Sequence, residues 1–253
     1  MTDLLQTQDL TVRFGGHVAV DAVTCAFRAG ELTAIVGPNG AGKTTYFNLI
    51  SGQIPASSGT VRLMGEPIDR LSASERCRRG LGRAFQLTSL FPGLSVLENV
   101  RLAIQAHRPV RGSLFSMATS HEALTTEATS VLERVRLDNV RDQPVSELSH
   151  GNQRKLEVAM LIALDPKVYM FDEPTAGMSA DEAPVVLDLI AELKADTDRT
   201  ILLVEHKMDV IRTLADRIIV LHNGELVADG DPAEVMASDV VQEAYMGKGL
   251  SDV

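Results

Sequence analysis

Alternating apolar and polar residues predict β-strands in the first quarter of the chain. Residues 9–14 alternate with a period of two, Gly15-Gly16 supplies a turn, and residues 18–27 resume the strand pattern. Residues 59–64 alternate again. This period is typical of strands that are buried on one face only.

Short, continuous apolar runs predict further strands, buried more deeply. They lie at residues 32–36, 168–171, 201–204 and 217–221. Residues 45–50 after the first run predict a helix that ends near Gly52, and apolar residues of 185–193 form one face of another helix. Strands that alternate with helices indicate a mostly parallel, doubly wound α/β sheet.

Between about residues 87 and 164 the pattern becomes helical. Residues 96–106 and 121–137 carry apolar side chains at helical spacing, and a loop is predicted between them at 108–113. Ser149 is expected to cap a helix that stops before Pro166. The stretch therefore predicts a helical subdomain inserted between strands of the core.

Composition narrows the class of protein. The chain has 253 residues, of which 45% are hydrophobic, so one large globular domain is expected. A net charge of -10 and the absence of Trp argue against a nucleic-acid partner, which would need a basic face or stacking rings. We expect no signal peptide and no membrane span, because the N-terminus lacks an apolar stretch and no apolar run reaches the length of a span. The two cysteines fit neither a metal site nor a disulfide framework.

A glycine-rich loop after the run at 32–36 predicts nucleotide binding. Gly37, Gly42, Lys43 and Thr44 match the phosphate-loop pattern G-x-x-x-x-G-K-[ST]. Glycines let backbone N–H groups face phosphates, Lys43 would neutralise β- and γ-phosphate oxygens, and the Thr44 hydroxyl would bind Mg²⁺. The candidate ATP contacts of the loop are Gly37, Pro38, Asn39, Gly40, Ala41, Gly42, Lys43, Thr44 and Thr45.

Two carboxylates end the strand at 168–171. Asp172 would lie at the carboxyl edge of the sheet beside the phosphate loop, where it can hold Mg²⁺, usually through water. Glu173 follows directly and is suited to orient or deprotonate the attacking water. Two solvated acids at a strand end are common in isolation, but the loop at residues 37–45 favours the catalytic interpretation.

Together with these motifs, the chain resembles the nucleotide-binding subunits of ABC transporters from about Leu4 to Gly247. Arg83-Ala-Phe-Gln86 resembles the Q-loop, Leu148-Ser149-His150-Gly151-Asn152-Gln153 the signature motif, and Glu205-His206 the switch histidine. Phe14 occupies the place of the aromatic residue that stacks on adenine. Taken singly, Gln86, His206 and Phe14 would more often be surface, structural and core residues.

The resemblance implies a fold and residue roles. The fold would be a P-loop NTPase of the ABC type: a mostly parallel core sheet with an N-terminal antiparallel β part (1–86 and 166–253) and an inserted α-helical subdomain (87–165). Gln86 would sense Mg²⁺ and the γ-phosphate. Ser149 and Gly151 would contact the γ-phosphate. His206 would join Glu173 and Lys43 in catalysis.

The resemblance also implies partners. Two ATPase chains, identical or related, would face each other head to tail, each site combining one chain's phosphate loop with the other's signature motif. Permease subunits would dock near Gln86–Val100, with an extracytoplasmic solute-binding protein acting indirectly. The chain would sit peripherally on the cytoplasmic face of the inner membrane.

Departures from the common family pattern point to one branch. His150 and Asn152 replace a glycine and a glutamine of the signature, and Ser179 stands where many relatives carry the D-loop aspartate. The chain resembles the branch that imports branched-chain and related hydrophobic amino acids, or urea and short amides, at residues 37–52, 148–157, 174–178 and 241–247. A lipopolysaccharide-type exporter, a soluble ABC ATPase and a non-hydrolysing regulatory domain stay open as alternatives.

Overall fold

The computed structural model describes residues 2–84, 90–107, 117–239 and 241, which fall into two units. The first unit comprises Met1–Arg83, Lys167–Glu173 and Lys194–Val253, and the second comprises Ala84–Pro166 and Pro174–Leu193. Residues 174–193, which the sequence analysis placed with the core, thus group with the second unit. Gln86, the predicted loop at 108–113 and the tail beyond 241 lie outside the described residues.

A largely parallel sheet forms the centre of the first unit. Its order is β10-β9-β3-β8-β7-β6, with β3 parallel to β8 and β9, β7 parallel to β8, and β10 antiparallel to β9. Every residue of β3, β7 and β8 is buried, which explains their unbroken apolar runs. The strands are β3 (Leu32–Val36), β6 (Leu81–Ala84), β7 (Val168–Asp172), β8 (Thr200–Val204), β9 (Arg217–His222) and β10 (Glu225–Gly230).

An antiparallel sheet accounts for the alternating segments. Its order is β2-β1-β4-β5, where β1 is Asp3–Phe14, β2 His17–Arg28, β4 Ser58–Leu63 and β5 Glu66–Pro67. The buried face of this sheet shares one apolar core with helix α1 (Lys43–Ser51). Leu10 and Phe27 of the sheet and Tyr46 and Phe47 of α1 are fully buried in that core. The sheet is thereby fixed against the helix that follows the phosphate loop.

The remaining helices of the first unit are short. They are α2 (Ala73–Arg78), α7 (Met208–Leu214) and α8 (Pro232–Ala237). A capping box between Ser72 and Glu75 starts α2, and the Asp231 carboxylate caps α8. These helices were not predicted, because six or seven residues are too few to display a helical period.

Four helices make up most of the second unit: α3 (Val96–His107), α4 (Met117–Arg134), α5 (His150–Ala163) and α6 (Ala183–Lys194). Ser149 caps α5 as predicted, since its hydroxyl accepts a hydrogen bond from the Asn152 backbone N–H at 3.2 Å. Helix α4 ends at Arg134, three residues before the predicted end at 137. Arg136 has a φ of 56°, a left-handed conformation that ends a helix. No helix among the described residues combines the length and hydropathy that crossing a bilayer requires.

Candidate active site

A pocket of about 420 Å³ in the first unit brings together most of the predicted nucleotide contacts. Phe14 and His17 line the pocket and pair directly with each other, one on each side of the β1–β2 turn. Glu173 and His206 also line the pocket, as do residues 39–45 of the phosphate loop. His17 was not among the predicted site residues, although its position across a two-residue turn from Phe14 could have indicated it.

The phosphate loop turns from β3 into α1 with Lys43 folded back on it. The Lys43 Nζ donates to the carbonyl oxygens of Gly37 at 2.7 Å and Pro38 at 3.0 Å. Burial lowers the pKa of Lys43, while Glu173 and Asp172 partly oppose that effect. Carbonyl contacts of this kind can be exchanged for phosphate oxygens, which are stronger acceptors for an ammonium group.

Gly42 stands immediately before Lys43 in a conformation that other residues rarely adopt. Its φ is 100°, and a Cβ atom here would lie 2.5 Å from the carbonyl oxygen of Ala19. Glycine therefore lets the loop pass close to β2 and aims the first N–H groups of α1 at the pocket.

Glu173 and His206 form a direct pair in this pocket. The Glu173 Oε1 and His206 Nε2 atoms are 2.8 Å apart, a hydrogen-bonding distance. Glu173 has a φ of 49°, and its backbone N–H donates to the Val204 carbonyl oxygen at 2.9 Å. A left-handed non-glycine residue costs about 1–2 kcal/mol, and such strain concentrates at functional sites. Glu173 thus reaches His206 from a left-handed backbone conformation.

Asp172 is buried beside the pocket and paired with Arg83. The Arg83 Nη2 donates to Asp172 Oδ2 at 2.9 Å, and the two side chains are 6% and 0% exposed. Burial raises the pKa of Asp172, and the Arg83 guanidinium opposes that rise. The second carboxylate oxygen, Oδ1, has no hydrogen-bond partner among the described residues. The sequence analysis noted Arg83 only as part of a motif, because a pair 89 positions apart leaves no local signal.

The signature residues belong to the second unit, not to this pocket. Gly151 is buried in the first turn of α5, and a Cβ atom there would lie 2.3 Å from the Glu182 Oε2. Glu182 in turn accepts hydrogen bonds from the Ser179 backbone N–H at 3.3 Å and hydroxyl at 3.0 Å. Ser179, which replaces the common aspartate, therefore fixes the Glu182 carboxylate in the segment before α6 through two hydrogen bonds.

Comparison with known proteins identifies the family. A family model described as "ABC transporter" matches residues 20–176. The chain belongs to the ABC transporter family. A second model, described as "Branched-chain amino acid ATP-binding cassette transporter", matches residues 225–250. The chain is 37% identical over 253 residues to the high-affinity branched-chain amino acid transport ATP-binding protein LivG of Salmonella typhimurium, covering 97% of this chain and 98% of that protein.

Solved structures of ABC proteins share the fold. A nucleotide-free ATP-binding cassette from an ABC transporter superposes with a TM-score of 0.82 at 29% identity, covering 98% of this chain and 100% of the other. A dimeric, post-hydrolysis ATP-binding cassette bound to ADP and Pi gives a TM-score of 0.80 at 25% identity, covering 90% and 98%. The family, the fold class and the ATPase activity that the sequence predicted are confirmed. The chain is the ATP-binding and ATP-hydrolysing subunit of an ABC transporter.

Proposed function

We propose that this ABC ATPase hydrolyses ATP in the pocket of the first unit with Glu173, His206 and Lys43 as catalytic residues. The observation that carries the proposal is the 2.8 Å pair of Glu173 and His206 in the same pocket as Lys43. Glu173 takes the proton of the attacking water, and His206 holds the carboxylate in place. Lys43 leaves its two carbonyl contacts for the β- and γ-phosphate oxygens.

The rest of the nucleotide would lie along the same pocket. The Phe14 ring is 53% exposed, which is unusual for a phenylalanine and suits stacking on adenine. The N–H groups of the phosphate loop and the start of α1 would surround the phosphates. The proposed loop contacts are Gly37, Pro38, Asn39, Gly40, Ala41, Gly42, Lys43, Thr44 and Thr45.

Mg²⁺ fits the acidic end of the pocket. The buried Asp172 Oδ1 has no partner among the described residues, as expected of an oxygen reserved for a ligand, and Thr44 lines the pocket. Within the described residues no three His, Cys, Asp or Glu side chains form a cage, so the phosphates of ATP would supply the other ligands. Bound Mg²⁺ would neutralise charge on the transferring phosphoryl group. The predicted role of Gln86 falls outside the described residues and stays a prediction.

A second ATPase chain, identical or related, would complete each site by docking head to tail. The Ser149 hydroxyl accepts a hydrogen bond from Asn152 and keeps its own proton to donate to a γ-phosphate oxygen. Gly151 lies in the same first helical turn, where N–H groups favour an anion. The solved dimeric cassette with ADP and Pi supports a dimer by similarity, and the head-to-tail orientation is part of the proposal.

We further propose that the transporter imports branched-chain or related amino acids. The LivG similarity over nearly the whole chain and the match at residues 225–250 support this substrate class. Permease subunits would dock near Gln86–Val100, where Phe91 and Leu94 are 50% and 39% exposed. A solute-binding protein outside the membrane would act through them, with this chain on the cytoplasmic face.

Two experiments test these assignments. Lys43→Ala should abolish most ATP binding in calorimetry. Lys167→Ala, which changes an exposed lysine, serves as the control and should bind ATP normally. Micromolar binding of ATP by the Lys43 variant would overturn the role of Lys43. In cells, the Lys43→Ala allele should abolish uptake of labelled leucine. Normal leucine uptake with lost urea uptake would instead assign the chain to the urea and amide importers.

A further inference from the structure

Arg83 is a buried cation beside the site that donates three hydrogen bonds to side chains. Its Nη2 binds Asp172 Oδ2 at 2.9 Å, while its Nη1 donates to Asn48 Oδ1 at 2.7 Å and Ser51 Oγ at 3.0 Å. Its guanidinium carbon lies 5.4 Å from the centre of the Phe47 ring, a cation–π distance. Arg83 therefore connects the edge strand β6 with both β7 and α1.

The pairing constrains Asp172 in a particular way. An isolated carboxylate with no exposed surface is strongly disfavoured, and a hydrogen-bonded guanidinium offsets that cost. Because Arg83 occupies Oδ2, the Asp172 side chain cannot rotate without breaking a buried ion pair. Oδ1, which has no partner among the described residues, is thereby held in one direction.

The contacts of Arg83 with α1 relate this oxygen to the phosphate loop. Asn48 and Ser51 lie on the same helix as Lys43 and Thr44, one to two turns further on. The fork of the guanidinium thus sets the distance between the Asp172 carboxylate and the helix that begins at the phosphate loop. A lysine ends in a single ammonium group and cannot bind both Asp172 and α1 with the same geometry.

We propose that Arg83 is a positioning residue that presents Asp172 Oδ1 to the metal ion of the metal–nucleotide complex. This inference rests on the proposed function, in which Asp172 holds Mg²⁺. Arg83 itself touches neither the nucleotide nor the ion. It acts by fixing one carboxylate oxygen so that the other is available, at a set distance from Thr44.

The chain offers a matched control in Arg76. That guanidinium is also buried and donates to the carbonyl oxygens of Leu49 and Ile50 at the end of α1, at 2.8 and 2.7 Å. Among the described residues its hydrogen bonds all go to backbone carbonyl oxygens, so its loss should weaken packing around α1 and spare Asp172. Arg76→Gln therefore separates a structural effect from a positioning effect.

The test measures metal and nucleotide affinity separately on the full chain. Mn²⁺ replaces Mg²⁺ as the probe. It is titrated into the protein–ADP complex, and free Mn²⁺ is followed by electron paramagnetic resonance. The affinity for ADP without metal is measured separately in EDTA. Arg83→Gln should raise the Mn²⁺ concentration for half-saturation about tenfold and leave the metal-free ADP affinity within twofold. Arg83→Lys, which retains the charge, should give a smaller rise of about threefold, and Arg76→Gln should leave half-saturation unchanged.

A double-mutant cycle completes the test. In the Asp172→Asn background, Arg83→Gln should have no further effect on Mn²⁺ half-saturation. The amide keeps a single oxygen, which the guanidinium would bind, and no second oxygen is left for Arg83 to present to the metal. An unchanged half-saturation in Arg83→Gln or Arg83→Lys, an equal rise in Arg76→Gln, or a full effect without Asp172 would overturn the proposal. Failure of the native protein with ADP to bind Mn²⁺ more tightly than ADP alone would instead overturn the proposed metal site. If Arg83→Gln does not fold, Arg83→Lys and the cycle built on it decide the question.

Discussion

Replacing Gly42 by alanine should lower the free energy of unfolding more than replacing Gly40 by alanine. Gly42 has a φ of 100° and Gly40 a φ of 81°, so both alanines would be strained by about 1–2 kcal/mol. They differ in space: the new Cβ at Gly42 would lie 2.5 Å from the Ala19 carbonyl oxygen, whereas nothing lies within 4 Å at Gly40. Backbone cannot yield as a side-chain end does, so the overlap at Gly42 adds about 1–3 kcal/mol.

The expected losses of unfolding free energy are therefore about 3 kcal/mol for Gly42→Ala and about 1 kcal/mol for Gly40→Ala. For a chain of this size these correspond to melting temperatures lower by about 9 °C and about 3 °C. Thermal unfolding should be followed by circular dichroism without nucleotide, because bound ATP would stabilise the fold by mass action. Equal losses in the two variants would refute the reasoning that the Ala19 carbonyl dictates glycine at position 42.

Three further predictions concern other parts of the molecule. Tyr46→Phe removes the buried 2.8 Å hydrogen bond between the Tyr46 hydroxyl and Thr7 Oγ1. It should lower the melting temperature by about 3 °C and leave ATP affinity unchanged. An unchanged melting temperature would contradict this contact. Ser149→Ala should lower the free energy of unfolding by about 1 kcal/mol, because it removes the cap of α5. Ser149→Asp should keep the stability but lower the rate of ATP hydrolysis at least tenfold, because it places a carboxylate where the γ-phosphate would bind. Full activity in the aspartate variant would refute that role. Burial raises the pKa of Cys25 to about 11 and that of Cys77 above its usual value. At pH 8, iodoacetamide should therefore modify both thiols slowly in the native protein and rapidly in urea, as followed by mass spectrometry. Fast labelling of the native protein would contradict the burial of these thiols.

The sequence predicted the parts of the fold whose physical cause is local. Strands β3, β7 and β8 are buried on both faces, so their continuous apolar runs could be recognised. Asp172 and Glu173 follow one of these runs directly, which made their position at the carboxyl edge of the sheet predictable. Helix α2 was missed although its capping box, Ser72 and Glu75, is visible in the sequence, because its six residues show no period.

What the sequence could not predict depends on contacts between distant residues. The pairing of Arg83 with Asp172 joins two strands that are far apart along the chain, and neither segment indicates the other. Likewise, the contact of Gly151 with Glu182 depends on how α5 and the segment before α6 pack together. These arrangements follow from tertiary packing, which periodicity and motif spacing do not report.

The measurement that tests the central claim most directly compares ATP binding and ATP hydrolysis in Glu173→Gln. The variant should bind ATP within about threefold of the native affinity, because the side chain keeps its shape. Its single-turnover rate of hydrolysis at high protein concentration should fall at least about 100-fold, because the amide cannot accept the proton of water. Glu66→Gln, on an exposed position of β5, serves as the control and should hydrolyse ATP normally. Hydrolysis by Glu173→Gln within twofold of the native rate would contradict the assignment of Glu173 and the mechanism built on it.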